Sequence, residues 1–204
     1  IRDRPYKHYA SMKRSARLSH RFLRYETTVG TALPMLDSIA TSTESADKIL
    51  SIEAIVSCTL NFILTSELPF SEALKKAQEV GLTEKDPSAD LSGADATRKL
   101  LILAREAGVK LEKEDITIEP VREENIRENQ RFVASLEKDD SAALGYRASI
   151  RLKDLPEGHP ALRIKGTENM IIVKSSYQTS PVIIQGPGEG AKMAAARILN
   201  DILR

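Results

Sequence analysis

The order in which helix-like and strand-like segments follow one another constrains this fold more than any other sequence feature. Strand patterns at residues 48–57 and 116–121 are separated by helical patterns, whereas the β-branched runs at 170–175 and 181–185 follow each other closely. Strand–helix units followed by neighbouring strands favour an α+β protein with helices packed on one face of its sheet. We therefore predict a mixed, largely antiparallel sheet.

Helices are predicted where apolar residues recur with a period near 3.6. Ala96, Leu100, Leu103 and Ala107 form the strongest such stripe, and Gly81 suits the left-handed position just after an earlier helix. The predicted helices cover residues 6–19, 33 into the forties, 59–65, 70–80, 94–107, 122–138 and 191–203. Further strands are predicted at 21–26, 148–152 and 162–165.

The charge balance and the cysteine count exclude several classes of protein. The 204 residues include 30 Lys or Arg and 29 Asp or Glu, whereas a dedicated nucleic-acid binder shows a basic surplus. The single cysteine, Cys58, excludes an internal disulfide framework and a CxxC zinc site, and three scattered histidines argue against a histidine-built metal site. No apolar run reaches the roughly 18 residues that a membrane span needs, and we expect a cytoplasmic protein.

Carboxylates crowd around one lysine in the segment 81–99. Glu84 and Asp90 lie in a polar loop, and Asp95 precedes Lys99 by four residues on the predicted helix, so these two side chains share a face. Lys99 also borders the apolar stripe, where partial burial and nearby carboxylates act on its ammonium in opposite directions. A lysine balanced in this way can relay a proton.

A purely structural interpretation of these residues stays open at this point. Ser92 would cap the helix with Asp95 as its partner in a variant capping box. Asp95 and Lys99 would then be a surface helix pair worth about 0.3–0.5 kcal/mol. The pattern alone does not decide between a site and a helix start.

Residues 77–99, AQEVGLTEKDPSADLSGADATRK, resemble the signature of the homoserine dehydrogenases without a gap. Residues 25–34 are similar to the family's nucleotide-side turn, 57–64 to its substrate-side helix start and 168–190 to its C-terminal return to the cofactor domain. Residues 96–108 resemble in particular the dehydrogenase half of the bifunctional aspartokinase–homoserine dehydrogenases. The resemblance spans nearly the whole chain.

The resemblance implies a fold like the C-terminal domain of glyceraldehyde-3-phosphate dehydrogenase. It also implies an enzyme that interconverts L-homoserine and L-aspartate 4-semialdehyde with NADP or NAD, on the route to threonine, methionine and isoleucine. By resemblance, Lys99 gives and takes the proton at the substrate oxygen, and Asp95 orients it. Glu84 is implied to hold the substrate ammonium, Asp90 to add a polar contact and Thr59 to place a hydroxyl beside the substrate. A homodimer and a fusion to aspartokinase in the full-length protein are implied as well.

Sodium is implied at a turn near the predicted second helix. By resemblance, Glu26, Val29, Thr31 and Leu33 surround the ion, which is held largely by backbone carbonyls. An ordinary strand-to-helix turn explains the same residues, because Glu26 is the only acidic member.

The glycine loop formed by Gly186, Gly188 and Gly190 is implied to touch the cofactor. Glycines between a strand and a helix let a backbone approach a phosphate or a ribose. Their GxGxG spacing is not the dinucleotide fingerprint, and a plain turn at the start of a helix explains it equally well.

Two positions depart from the family pattern. Cys58 stands where the family has glycine before the pocket threonine, which adds a side chain next to the substrate. Leu82 stands where the family has tyrosine, which removes a hydroxyl from the pocket. With no histidine near it in the sequence, Cys58 is not expected to act as a nucleophile.

The resemblance also predicts the domain organisation. Residues 1–30 are expected to be the tail of a nucleotide-binding domain, 31–175 the catalytic and dimerisation domain, and 176–204 the return to the nucleotide-binding domain. The chain begins at Ile1 rather than at Met, and no apolar segment follows its basic start, so we interpret it as a fragment without a signal peptide. Because the resemblance implies that most of the cofactor domain is missing, we expect this fragment to be inactive alone. The alternative is a noncatalytic dimerisation domain derived from the same fold.

A sheet with helices on one face leaves its other face to be covered. In the family, two such sheets pair across a twofold axis. We predict that Ile52, Ile55, Ile171 and Val173 form that interface.

Overall fold

The computed structural model describes residues 4–83 and 85–203. Within this part of the chain the α-helices are α1 (Tyr6–Leu18), α2 (Met35–Glu44), α3 (Cys58–Leu64), α4 (Phe70–Glu79), α5 (Ser88–Leu91), α6 (Ala94–Glu106) and α7 (Ala191–Leu203). The strands are β1 (Ile49–Ile55), β2 (Ile116–Ile118), β3 (Gln130–Lys138), β4 (Tyr146–Asp154), β5 (Glu168–Ser175) and β6 (Val182–Pro187). Among the described residues, no helix combines the length and the apolar character that crossing a membrane requires.

The described strands form one sheet in the order β2-β4-β3-β1-β5-β6. Neighbouring strands are antiparallel, except that β2 runs parallel to β4. β1 is central: Ile52 lies opposite Leu136 of β3 on one side and opposite Val173 of β5 on the other. The predicted mixed, largely antiparallel α+β sheet is confirmed.

Helices α2 and α6 cover one face of the sheet and bury their apolar stripes against it. On α6, Ala96, Leu100 and Leu103 are at most 3% exposed, as their spacing predicts. Successive residues of a strand point to opposite faces, so every second strand residue enters this core. The strands contribute Ile52, Ala54, Phe132, Ala134, Leu136, Ile150, Ile171 and Val173.

Glycine, not serine, precedes the helix that carries Lys99. Gly93 caps α6 in a left-handed conformation (φ 76°), and a methyl group built on it would stand 3.1 Å from Cζ of Phe132. Ser92 instead ends α5, and Asp95 is the second residue of α6. The capping box predicted around Ser92 is therefore wrong, because two helices meet here at a turn that requires glycine.

The helix predicted over residues 122–138 is wrong. Glu123–Asn125 forms a short 3-10 turn, Asn129 takes a left-handed backbone (φ 60°), and β3 begins at Gln130. A left-handed residue interrupts an α-helix. From Gln130 to Leu136 every residue is buried, with β1 and β4 paired on the two sides. Strand pairing on both edges outweighs the helical pattern of the charges.

Three predicted strands also differ from the structure. Residues 21–25 form no strand, and Glu26–Thr28 is a 3-10 turn. The segment 162–165 overlaps the 3-10 turn Pro160–Leu162, which proline starts at its first position. β2 ends at Ile118, two residues before Pro120, because proline has no N–H to offer to the ladder with β4.

The face of the sheet opposite α2 and α6 is called the open face here. The segment that follows β4 packs apolar side chains on Ile55, Val133 and Met170. The predicted dimer interface is wrong in three residues, because Ile52, Ile171 and Val173 are at most 1% exposed beneath the helices. Ile55 lies on the open face, but the same segment leaves it 4% exposed.

A charged network occupies the rest of the central open face. Lys153 of β4 pairs with Glu53 of β1 (Nζ–Oε1 2.6 Å) and with Glu137 of β3 (Nζ–Oε1 3.1 Å). His159 lies 3.3 Å from the other oxygen of Glu53. The two faces of the sheet are therefore chemically distinct: one is apolar and covered by helices, and the other carries ion pairs.

Candidate functional site

Lys99 lies in α6, one turn after Asp95, and the two side chains meet as their spacing predicts. The Nζ–Oδ2 distance is 2.8 Å, with 16% of the Lys99 side chain and 31% of the Asp95 side chain exposed. Nζ of Lys99 also donates to the carbonyl oxygen of Val56 at 2.5 Å. Because Val56 follows β1, the ammonium joins α6 to the end of the central strand, which a simple surface helix pair would not do.

Thr59 and Asp90 both contact the residues just before position 84. The hydroxyl of Thr59, in α3, donates to the carbonyl oxygen of Leu82 at 2.9 Å. The hydroxyl of Thr83 donates to Oδ2 of Asp90 at 2.7 Å. The structure thus brings Thr59 and Asp90 to the same loop, whereas Glu84 itself lies outside the described residues.

The two departures from the family pattern have different surroundings. Leu82 packs its side chain against a small apolar cluster of α3 and α4 that includes Ile63 and Ala73. Cys58 begins α3, and burial raises the pKa of its thiol, an effect that the nearby Lys99 ammonium opposes. A thiol with a raised pKa is a poor nucleophile, which supports the expectation from the sequence.

The glycine loop packs on the turn that contains residues 29–33. The hydroxyl of Thr31 donates to the carbonyl oxygen of Gly188 at 2.6 Å. A methyl group built on Gly186 would stand 2.9 Å from Cδ2 of Leu33. The structure therefore brings together the two turns for which the sequence implies roles on the cofactor side.

Glu26 is buried and serves the backbone of the next helix. Its two carboxylate oxygens accept from the N–H groups of Leu36 (2.7 Å) and Asp37 (2.9 Å), at the start of α2. Arg197 of α7 lies 3.4 Å from the same carboxylate. Burial raises the pKa of Glu26 to about 7, against the lowering effect of these donors.

Backbone conformation rather than acidic clustering distinguishes the turn at residues 29–33. Gly30 (φ 73°) and Thr31 (φ 56°) are both left-handed, an arrangement that redirects successive peptide groups. Among the described residues, no group of three or more His, Cys, Asp or Glu side chains is placed to hold a metal.

Asn169 is a residue of this region that sequence reasoning missed. It is 1% exposed on β5, and its Oδ1 lies 3.6 Å from the thiol of Cys58, which donates to it. The sequence does contain an indication of this residue: Asn169, Ile171 and Val173 alternate along the strand, and only Asn169 among them is polar. A polar side chain in an apolar row of a strand indicates a specific hydrogen-bonding role.

Together, these contacts define one site. It lies at one end of the sheet, on the face covered by α6. Lys99 supplies an ammonium, Asp95 a carboxylate beside it, and the glycine loop the exposed residues Glu189 and Gly190. A primary amine in such a place can exchange a proton with a substrate oxygen. A neighbouring carboxylate-rich loop suits a cationic group on the same substrate.

A sequence model of the family described as homoserine dehydrogenase matches residues 34–203. The chloroplastic bifunctional aspartokinase/homoserine dehydrogenase 2 of Arabidopsis thaliana is 33% identical, with an alignment that covers 98% of this chain and 25% of that protein. This chain therefore spans about a quarter of the length of the curated relatives it matches.

Solved structures give the same likeness. The putative homoserine dehydrogenase from Archaeoglobus fulgidus superposes with a TM-score of 0.83 and 28% identity, over 99% of this chain and 64% of that one. A hyperthermophilic archaeal homoserine dehydrogenase mutant in complex with NADPH gives a TM-score of 0.78 and 25% identity, over 97% of this chain and 60% of that one.

Proposed function

Because the chain belongs to the homoserine dehydrogenase family, we propose that it forms the substrate side of an enzyme that interconverts L-homoserine and L-aspartate 4-semialdehyde. The observation that carries this proposal is the position of Lys99. Its ammonium is fixed between Asp95 and the carbonyl oxygen of Val56, at the end of the sheet where the glycine loop also lies.

Lys99 is proposed to hold and move the proton at the substrate oxygen. An ammonium has three N–H donors, and the contacts with Asp95 and Val56 use two of them. The remaining donor can bond the oxygen of the aldehyde, or the amine can take the hydroxyl proton in the opposite direction. Asp95 keeps the amine oriented and balances the positive charge after the proton arrives.

The substrate ammonium is proposed to bind at the polar loop. Glu84 would accept from it, because a charge-assisted hydrogen bond between a carboxylate and an ammonium is stronger than a neutral one. Asp90, already bonded by Thr83, would add a second negative charge. Thr59, through its bond to the carbonyl of Leu82, would fix the loop and offer its hydroxyl oxygen to the pocket.

NADP or NAD is the proposed cofactor, and its nicotinamide supplies or accepts the hydride when it is bound. The archaeal relative in complex with NADPH supports this assignment. The residues present fit one edge of such a ligand, since Glu189 and Gly190 are exposed and α7 begins directly after them. Gly186, Gly188 and Gly190 would let the loop backbone approach the cofactor closely.

A sodium ion in the turn at residues 26–33 would depend on backbone oxygens. The carboxylate of Glu26 is committed to α2 and lies 3.4 Å from the Arg197 guanidinium, which disfavours a cation at that side chain. The carbonyls of Val29, Thr31 and Leu33, redirected by the left-handed residues of the turn, are the proposed ligands.

The larger organisation is also a proposal. Residues 1–30 and 176–204 would belong to a nucleotide-binding domain, with residues 31–175 as the catalytic and dimerisation domain. The Arabidopsis relative supports a fusion to aspartokinase. A homodimer would form through the open face, by its exposed polar rows rather than by the buried isoleucines, and a monomer by light scattering at high micromolar concentration would contradict it.

The test of the proposed function is direct. The full-length protein is mixed with L-homoserine and NADP⁺ or NAD⁺, and reduction of the nicotinamide is followed by its absorbance. We expect reduction that depends on homoserine and is lost in Lys99→Ala. A folded, dimeric protein that reduces neither dinucleotide would instead support the noncatalytic alternative.

A further inference from the structure

The side chain of Asn169 combines deep burial with an unsatisfied donor. Its Oδ1 accepts from the Cys58 thiol, but Nδ2 has no hydrogen-bond partner among the described residues. Leaving a buried amide N–H unpaired is costly, because its hydration is lost without compensation. A donor held in this way is suited to an acceptor that arrives from outside the chain.

The unsatisfied donor lies under the glycine loop. Asn169 is opposite Gly186 in the β5–β6 ladder. A methyl group built on Gly188 would stand 2.5 Å from Cγ and 2.6 Å from Nδ2 of Asn169. Gly188 is held in place by its N–H bond to the carbonyl oxygen of Thr167 (3.1 Å), so the loop backbone lies directly against the carboxamide.

Asn169 is also beside the residue on which Lys99 is anchored. Ile55 of β1 lies opposite Met170 of β5, and continuation of this antiparallel register places Val56 next to Asn169. Lys99 donates to the carbonyl oxygen of Val56. The unsatisfied amide and the lysine ammonium therefore lie at the same end of two neighbouring strands.

The charges nearby indicate what kind of acceptor fits. Glu189 follows Gly188 directly, and its charge is felt at the thiol of Cys58 together with that of Lys99. A carboxylate at this point repels a phosphate. A neutral amide donor suits a neutral oxygen, such as the carboxamide oxygen or a ribose hydroxyl of a nicotinamide nucleoside.

We infer that Asn169 is a binding residue for the nicotinamide end of the dinucleotide: the ligand displaces the Gly188 backbone that covers Nδ2, Nδ2 donates to a neutral oxygen of the nicotinamide nucleoside, and the Cys58 thiol holds Oδ1. The inference rests on the proposed function, to which it adds a residue. It makes Cys58 a positioning residue, because the thiol orients the carboxamide and does not take part in the chemistry.

The experiment uses Asn169→Leu in the full-length protein, with NADP⁺ and L-homoserine as the two varied substrates. Leucine keeps the shape of asparagine and removes the donor. We expect the KM for the dinucleotide to rise about fivefold to tenfold, as the loss of one hydrogen bond predicts, and the KM for homoserine to stay within about twofold. Asn169→Ala is a second variant, for which we also expect the KM for the dinucleotide to rise and the KM for homoserine to stay nearly unchanged.

Thermal unfolding without ligand separates binding from structure. Leucine removes the unpaired buried donor and gives up only the long contact between the Cys58 thiol and Oδ1 (3.6 Å), so the exchange should be nearly neutral or stabilising. Asn169→Leu is therefore expected to keep or raise the Tm of the ligand-free protein while weakening dinucleotide binding. If Asn169 merely supported the fold, its replacement by leucine would lower the Tm instead.

Asn61 provides the matched control. It is 2% exposed, and its Nδ2 donates to the carbonyl oxygens of Gly166 (2.9 Å) and Glu168 (3.1 Å), so its donors are satisfied within the chain. Asn61→Leu should lower the Tm by about 4–8 °C and leave the ratio of the two KM values unchanged.

The outcomes are distinct. A wild-type protein with no homoserine-dependent reduction refutes the proposed function itself. An active wild type with an unchanged dinucleotide KM in both Asn169 variants refutes only the inference about Asn169. Equal rises in both KM values with a lowered Tm, as for a structural residue, refute it as well.

Discussion

Lys99 and Lys153 lie on opposite faces of the sheet and resemble each other in burial, with 16% and 22% of their side chains exposed. Lys153 meets two carboxylates, Glu53 and Glu137, which belong to two further strands. Lys99 meets one carboxylate and one neutral carbonyl at the end of the sheet. Both amines are ion-paired, and only their remaining neighbours differ.

The two environments distinguish a lysine that can transfer a proton from one that stabilises the fold. Two carboxylates compensate the charge of Lys153 and tie β4 to β1 and β3, which is a structural task. Lys99 has a single carboxylate partner and lies at the end of the sheet where a glycine backbone and a buried amide also lie. Both lysines are largely buried and ion-paired, so these two properties do not distinguish them. The other groups near each ammonium do.

Loss of the Lys99 amine is expected to have the largest effect. Lys99→Ala in the full-length protein should lower kcat for homoserine oxidation about 10²–10⁴-fold, because a general acid–base group is removed. Steady-state kinetics with circular dichroism to confirm folding checks this. A variant with kcat within about twofold of the wild type would make Lys99 equivalent to Lys153.

Loss of the proposed ammonium ligand is expected to act on binding instead. Glu84→Gln should raise the KM for homoserine about 10–100-fold with a smaller change in kcat, since a charge-assisted hydrogen bond is lost in the ground state. Asp86→Asn is the control, because Asp86 accepts from the N–H of Ser88 within the same loop. Similar KM values for the two variants would remove Glu84 from the site.

The open-face lysine should respond in stability rather than activity. Lys153→Met is expected to cost about 1–2 kcal/mol of unfolding free energy, because it leaves two carboxylates close together, and to keep kcat within about twofold. Urea unfolding and steady-state kinetics on one preparation measure both. A loss of kcat comparable with that of Lys99→Ala would contradict the assignment of Lys153 to stability and of Lys99 to activity.

The same pair of carboxylates predicts a pH dependence. Burial lowers the pKa of Lys153, but its hydrogen bonds to Glu53 and Glu137 outweigh burial, and the pKa is raised overall. A group with a raised folded pKa stabilises fully below its unfolded value, about 10.4 for lysine. The stability difference between wild type and Lys153→Met should therefore persist up to about pH 10 and shrink above it.

The smallest effect concerns Cys58 as a reporter of the Lys99 charge. Burial raises the pKa of the Cys58 thiol, and Lys99 partly offsets this. Alkylation by iodoacetamide should be slower in the native than in the unfolded protein, and slower still in Lys99→Ala. Mass spectrometry follows the reaction, and Lys153→Met should leave its rate unchanged because that lysine is on the other face.

Sequence reasoning succeeded where the relevant contacts are local. The α6 stripe and the Asp95–Lys99 contact follow from helical spacing, and both are confirmed. It failed at β3, where pairing with β1 and β4 overrides the pattern of charges. Ile52 and Ile55, three residues apart on β1, necessarily face opposite sides of the sheet, so strand alternation contained the correction to the proposed interface.

Asn169 could not be assigned a role from the sequence for a different reason. Its surroundings come from Cys58, more than a hundred residues earlier in the chain, and from Gly188, which lies in the loop just after β6. Neither distance has a periodicity that a sequence pattern can express. The burial of the carboxamide and its unsatisfied donor become visible only when the sheet is assembled.

The central place of β1 governs how the chain must reach its native state. β1 precedes both of its neighbours in the chain, and they pair with it across separations of about 85 residues for β3 and about 120 for β5. Pairing over such separations requires the entropy cost of loop closure to be met before stabilising contacts form, which makes folding slow. During synthesis, β1 would leave the ribosome long before either partner. Its apolar residues would then need shielding until β5 arrives, so demand for chaperones should be concentrated on this strand.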